Sequence, residues 1–408
     1  MQLSSMALAA TAMPSASAAP QRPLPKSEFD YVDWSWQRWR RISGESKPRV
    51  VGEQSRKAEL VYPIDVKAGR ANPSADLWNA RRQSLKQLIG TFLGPPPQNR
   101  PALDVKVVEE IRLSTHLRRK LTYQTEQGEH VPAYLLTPAN IRGRLPVVLC
   151  PHQTTIPLTS GMREPAGLEG NPALHTALHL VERGYVTFTW DALCFGSRHD
   201  PARGHYGDSI PFYQKHPHWA LLGKMVWDLS RGIDYLTTLD FIDPQRIGSI
   251  GHSHGGITTL FGMAFDERIK VGVSNCGFDT FRIDGNVWRW SRATALMPRL
   301  GFYIGSRHLN MDFYRAVPDS EVIETPFDMH ELLALIAPRA LLLSTSDEDF
   351  VFPNAGWSAR QSLARVAPVY RLFDKEANLD SYFFKGGHSF PTEASNRAYE
   401  WLDRWLKT

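Results

Sequence analysis

The sequence predicts an α/β protein, with a doubly wound, mostly parallel sheet preceded by antiparallel strands and a helical extension. Three observations carry this reading. From residue 147 onward, short apolar runs near 147–150, 185–190, 246–250, 270–274, 339–344 and 379–384 alternate with longer stretches of helical periodicity. A glycine-flanked serine turn, Gly251-His252-Ser253-His254-Gly255-Gly256, follows one of these runs directly. Asp349 and His388 follow two later runs, so a serine, an acid and a histidine stand in that order, each just past the end of one of these strands.

The elements justify themselves in chain order. Residues 1–20 are poor in charge and rich in Ala, Ser and Met, with Ala16-Ser17-Ala18 shaped like a signal-peptidase site, although no Lys or Arg precedes it. This predicts a secreted or periplasmic protein, with a disordered leader on a cytoplasmic protein as the alternative. Residues 21–103 read as a helical extension, with an aromatic, basic helix near 31–41 and a second over 74–92 closed by Gly94-Pro95-Pro96-Pro97. Residues 105–113, 120–125 and 131–136 read as antiparallel strands, the last two joined through Glu126-Gln-Gly128-Glu. The main domain then spans 104–408, with an insertion over about 277–327 that holds Trp288, Trp290, Phe302, Tyr303, Phe313 and Tyr314.

Composition narrows the function classes. The chain has 408 residues, 42% of them hydrophobic, enough for a sizeable core. Its formal net charge of +5 comes from dispersed basic residues, which fits a solvated surface and excludes a nucleic-acid interface. No apolar run approaches the roughly 20 residues that span a bilayer. Cys150, Cys194 and Cys276 lack the Cys-x-x-Cys spacing of a zinc site and read as small buried packing residues. No metal or organic cofactor is expected.

The serine turn carries the chemistry. A serine between glycines at a strand-to-helix junction is a nucleophile elbow, in which a strained backbone lifts Oγ over the sheet edge. The strand 246–250 before it and the apolar stretch 257–265 after it supply the required context. Serine, then acid, then histidine is the chain order of the α/β-hydrolase fold. The stretch Phe241-Ile-Asp243-Pro244-Gln-Arg246-Ile-Gly-Ser-Ile-Gly251-His-Ser253-His-Gly-Gly256 resembles the elbow region of dienelactone-hydrolase-like and acetyl-xylan-esterase-like α/β-hydrolases. Phe327-Asp-Met-His330-Glu-Leu-Leu-Ala-Leu-Ile-Ala-Pro338-Arg339 is similar to the segment that leads into their acid-bearing strand. The resemblance covers about residues 104–408 and implies Ser253 as nucleophile, His388 as general base and Asp349 as its acid, four residues before Pro353. Asp347 is the alternative acid.

The remaining site expectations follow from the same chemistry. An oxyanion hole needs backbone N–H groups aimed at developing negative charge. One donor is expected from His254; the other comes from the turn after 145–150, at Gln153 or Thr154, where relatives more often carry His-Gly. His152 either holds that turn or faces the substrate. Arg198 either binds a substrate carboxylate bidentately or pairs with a nearby acid such as Asp191 or Asp200. Trp288 and Trp290 either pack the lid or offer stacking surface to a sugar-like or aromatic group. The reading is a serine carboxylic-ester hydrolase that works through an acyl-enzyme, with small-molecule or carbohydrate esters as substrates, acyl or feruloyl esters being implied by the resemblance. A serine peptidase or carbon–carbon bond hydrolase on the same triad, and a non-catalytic binding protein on this scaffold, are the alternatives.

Overall fold

In a computed structural model the described residues are 36–47, 74–281, 290, 296–304 and 325–407, with nothing stated of the side chains of 36–38 and 304. The expected leader, Trp288, Phe313 and Tyr314 lie outside them. Nine strands form one sheet in the order β1-β2-β3-β5-β4-β6-β7-β8-β9. The first three are β1 (Lys106–Arg112), β2 (His116–Glu126) and β3 (Glu129–Pro138), antiparallel to one another. β2 and β3 meet at the expected turn, where Gly128 takes φ +77°. β3 then pairs antiparallel with β5 (Val186–Trp190), and from there β4 (Leu145–Leu149), β6 (Ile242–His252), β7 (Ile269–Asn275), β8 (Ala340–Ser346) and β9 (Leu379–Phe384) run parallel.

Helices cover both faces, because parallel strands apolar on both sides must be buried twice. One face packs α3 (Thr176–Glu182) and α10 (Thr392–Leu406) through Ala177, Leu180, Ala398 and Leu402. The other carries α5 (Leu221–Leu236), α6 (His254–Phe265), α8 (Met329–Ile336) and α9 (Ala355–Arg371). A small α4 (Ser209–Lys215) and a one-turn α7 (Gly301–Ile304) complete the set.

The N-terminal helices α1 (Trp36–Ser43) and α2 (Ala75–Leu93) belong to the second of these cores. Ser74 caps α2 by accepting from Leu77 N, and Gly94, at φ +77°, ends it as the glycine-proline run predicted. Trp78, Leu85, Ile89 and Phe92 are fully buried with residues of α5 and α6, each such side chain contributing about 1.5–3 kcal/mol. The described residues accordingly all belong to one compact unit. Among the described residues no helix is long and apolar enough to cross a membrane.

Candidate active site

The turns that leave the carboxyl ends of β4 to β9 meet along one edge, where doubly wound sheets gather their ligands. β6 stops at His252, and Ser253 takes φ 54°, ψ −121° before α6 begins at His254. Positive φ at a residue with a Cβ is strained and persists only where the surroundings impose it. Here the flanking glycines are needed for close approach. A Cβ on Gly251 would lie 2.2 Å from the carbonyl carbon of Gly255, and one on Gly255 would lie 2.2 Å from the carbonyl oxygen of Pro151. The Ser253 N–H donates to Asn275 O at 2.8 Å, tying the elbow to β7.

Asp349 and His388 come together although they arrive from different strands. His388 Nδ1 lies 2.9 Å from Asp349 Oδ2 and 3.1 Å from Oδ1. The same Oδ1 accepts the N–H groups of Val351 and Phe352, at 2.8 and 2.9 Å. These donors fix the buried carboxylate and orient the ring. Asp347 turns the other way and forms a two-pronged ion pair with Arg360 at 2.6 and 2.9 Å, which holds its carboxyl below the usual carboxylate range. His388 packs against His252, with ring centroids 4.6 Å apart, and against Phe352 at 5.8 Å. Its hydrogen bonds run to Asp349, and none joins it to Ser253, a spacing common before a substrate tightens such a site.

The expected oxyanion turn is held from both sides. His254 places its N–H in the first turn of α6. Its imidazole is turned away, against Met225 Sδ at 3.2 Å, and burial together with nearby His152 presses its pKa down to about 3. The ring is therefore neutral, and any contribution to an oxyanion must come from the backbone. Gln153 donates through Nε2 to both oxygens of buried Glu164, at 3.0 and 3.1 Å, and burial raises the Glu164 pKa. Thr154 Oγ1 pairs with Tyr206 OH at 3.1 Å.

Three residues read either as structural or as substrate-facing have surroundings that favour the structural alternative. His152 has no free ring nitrogen: Nδ1 donates to Gln153 O at 2.5 Å, and Nε2 accepts the Ala192 N–H at 3.1 Å. It braces the turn instead of facing substrate. Arg198 is spent in ion pairs with Asp228 (2.8 Å) and Glu129, and donates to Asp191 O. Its acid partners are thus neither Asp191 nor Asp200, and its guanidinium cannot hold a substrate carboxylate. Asp191 instead accepts from Met162 N, Ser197 N and Ser197 Oγ, bracing the two loops that flank the turn. Trp290 is 2% exposed and packs edge-on against Phe281 at 4.8 Å, so it offers almost no surface to a ligand.

The cysteines are all free and buried. Cys276 Sγ shares a 4.8 Å neighbourhood with Asp349 and His388, the one such group among the described residues. A metal there would need a thiolate. Burial and the adjacent Asp349 carboxylate push this thiol's pKa up, and His388 Nδ1 is engaged by Asp349, so the donor set suits a packed thiol. A separate hollow of about 470 Å³ beside α2 is lined by Glu45, Ser46, Thr91, Gly94 and Arg299, and its two charged groups, Glu45 and Arg299, pair with each other. Reading the sequence missed Asn275, Ser344 and Glu164, buried polar groups that surround the elbow and its turn. A polar residue closing an otherwise apolar strand, as Asn275 does in Val-Ser-Asn275, was the available signal.

Comparison with known proteins agrees with this architecture. YtaP of Bacillus subtilis strain 168, assigned as a hydrolase, is 28% identical over 332 residues, which covers 80% of this chain and all of that protein. The 4-O-methyl-glucuronoyl methylesterase of Phanerochaete carnosa is 24% identical over 246 residues, 55% of this chain and 56% of that enzyme. A glucuronoyl esterase structure from Solibacter usitatus superposes with a TM-score of 0.64 at 18% identity, covering 86% of this chain and 98% of that one, which establishes the shared fold. The family model for glucuronyl esterase of fungi matches residues 152–371, more than half of the chain, and that stretch runs from the turn after β4 through the elbow to α9. The chain therefore belongs to the glucuronyl esterase family and is an esterase of the α/β-hydrolase type.

Proposed function

We propose that this protein hydrolyses a carboxylic ester of a sugar acid through an acyl-enzyme formed on Ser253. Ser253 Oγ attacks the ester carbonyl while His388 Nε2 takes its proton, and the tetrahedral oxyanion is met by the His254 N–H and a second donor from the Gln153–Thr154 turn. Collapse expels the alcohol, which leaves with the proton from His388. Water then attacks the acyl-enzyme by the same route, and the free acid departs. Asp349 keeps the proton of neutral His388 on Nδ1 and stabilises the imidazolium once it forms.

The observation that carries this reading is the Asp349–His388 Nδ1 hydrogen bond at the edge where the strained Ser253 also sits. The sugar-acid substrate rests on the family and on the named activities of the relatives. It is also chemically consistent with the engagement of Arg198 in ion pairs, because an esterified uronate is uncharged and needs no cation. The signal-peptidase-like Ala16-Ser17-Ala18 supports the proposal that the enzyme is exported.

The test uses a fluorophosphonate probe and the benzyl ester of glucuronic acid. Wild-type protein should be labelled at Ser253 and should release benzyl alcohol, and Ser253→Ala should lose labelling and about 10⁴-fold or more of turnover. Near-normal hydrolysis by Ser253→Ala would overturn the mechanism. Labelling at Ser253 together with hydrolysis of acetylated xylan but not of the glucuronate ester would overturn the substrate class alone.

A further inference from the structure

One buried carboxamide touches the residue before Ser253 and the residue after His388. Asn275 closes β7, and the sheet register sets it beside His252 of β6 on one side and Ser344 of β8 on the other. Its amide orientation is determined by its neighbours. The Ser389 carbonyl can only accept, so the group 2.8 Å from it must be Nδ2, and Oδ1 accordingly accepts from Ser344 Oγ at 2.7 Å. The second Nδ2 proton points at His252 Nδ1, 2.7 Å away. His252 Nδ1 is therefore an acceptor, and the ring carries its proton on Nε2. Through its backbone the same residue accepts the Ser253 N–H at 2.8 Å.

All the side chains of this network are buried, and both amide protons and the amide oxygen of Asn275 are used. A buried amide whose two protons and oxygen are all engaged is held rigidly in one arrangement. The network's anchor points are the residue before the nucleophile, the nucleophile's own N–H, and the residue after His388. Resting on the triad reading above, we infer that Asn275, held by Ser344, is a positioning residue that fixes Ser253 and His388 relative to each other and locks His252 as the neutral Nε2–H tautomer beside the general base.

Neutrality at His252 matters because its ring centroid is 4.6 Å from that of His388, which must become an imidazolium during acylation. A charged neighbour at that distance would oppose the step. Burial, and then His388 itself, hold the His252 pKa well below the ordinary histidine range. Among the described residues, the other titratable groups against this pair are Asp349, bonded to His388, and Cys276, whose thiol is raised by burial and by Asp349.

The experiment is the pH dependence of the single-turnover rate at which a fluorophosphonate labels Ser253, which needs no knowledge of the natural ester. Asn275→Asp keeps the shape but cannot donate to Ser389 O or His252 Nδ1, and adds a buried negative charge that favours protonated imidazole. Labelling should slow by about 10- to 100-fold, and the acid limb should move up by about one pH unit or more. Ser344→Ala, which removes only the donor that holds Oδ1, should slow labelling by about 3- to 10-fold with melting little changed. If both folded variants, or Ser344→Ala alone should Asn275→Asp not fold, label at the wild-type rate with an unmoved limb, the positioning role is overturned. A lowered melting temperature at unchanged labelling would likewise show that the network is merely structural. Failure of the triad reading would be distinguishable, since wild-type protein itself would then not label at Ser253.

Discussion

At the scale of single residues, the acid loop Ser346-Asp347-Glu348-Asp349 offers three carboxylates, and partners alone separate their roles. Asp349 is buried, holds two backbone N–H groups and faces His388 Nδ1; Asp347 is more exposed and engaged by Arg360. An asparagine at 349 would present an amide to the imidazole and disfavour the tautomer that leaves Nε2 as the base, whereas one at 347 loses only a surface ion pair. Asp349→Asn should therefore lower kcat about 10⁴-fold, and Asp347→Asn should change it by less than about 10-fold. Steady-state kinetics on an activated ester checks this, and equal losses would move the acid to 347. The residue types at 253, 349 and 388 were legible from order and flanking strands. The duties of His152 and Arg198 were not, because a histidine or an arginine near a pocket looks the same in sequence whether its nitrogens are free or already spent on Gln153, Ala192, Asp228 and Glu129.

At the scale of elements, the β2–β3 hairpin is joined to α5 by a buried charge cluster. Lys224 of α5, with no exposed side chain, lies 2.8 Å from Glu126, 3.0 Å from Glu129 and 2.8 Å from Asp228, and Arg198 adds a second cation to Glu129 and Asp228. Burial works against a charged Glu126, but His216 and Lys224 outweigh it and hold its carboxyl well below the ordinary range. Removing the lysine strands carboxylates in the interior, a far larger cost than losing an exposed pair. Lys224→Met should destabilise the fold by about 3–5 kcal/mol, against less than about 1 kcal/mol for Arg183→Ala, whose partner Asp403 is at the surface. Urea denaturation measures both, and a loss below 1 kcal/mol for Lys224→Met would mean that the cluster relaxes or admits water. The hairpin, α2, the elbow strand and the parallel alternation were all readable as elements, since each has its own period, cap or turn residue. The cluster was not, because its members come from β2, β3, the loop after β5, and α5.

At the scale of the whole molecule, the interior stores histidines in the neutral form. Burial lowers the pKa of His152, His205, His252 and His254, with His205 pressed to about 4 and His254 to about 3. The unfolded chain binds protons at these sites below about 6.5 while the folded chain does not, so stability is lost as pH falls from that value toward the folded pKa values. Each such group contributes about 1.4 kcal/mol per pH unit inside its window. Between pH 6.5 and 5 the depressed carboxylates Glu126 and Asp266 add nothing, because they are ionised in both states. Glu164, raised by burial, works in the opposite direction, one group against these four histidines and against His116, His175 and His179, which burial also lowers. The melting temperature should thus fall between pH 6.5 and 5, and His254→Gln should make that fall shallower. A flat profile would show that the folded protein admits protons to these sites.

The sequence by itself determined the fold class, the strand-to-helix elbow, the order of serine, acid and histidine, and the ends of α2, because periodicity, glycine placement and capping are local properties of the chain. Only the tertiary structure decided which aspartate meets His388, which ring nitrogens remain free, and that Asn275 stands between His252 and Ser344. Those outcomes depend on which polar groups are left to satisfy one another once separate strands are brought side by side and water is excluded, and sheet register, which emerges only on folding, fixes that pairing.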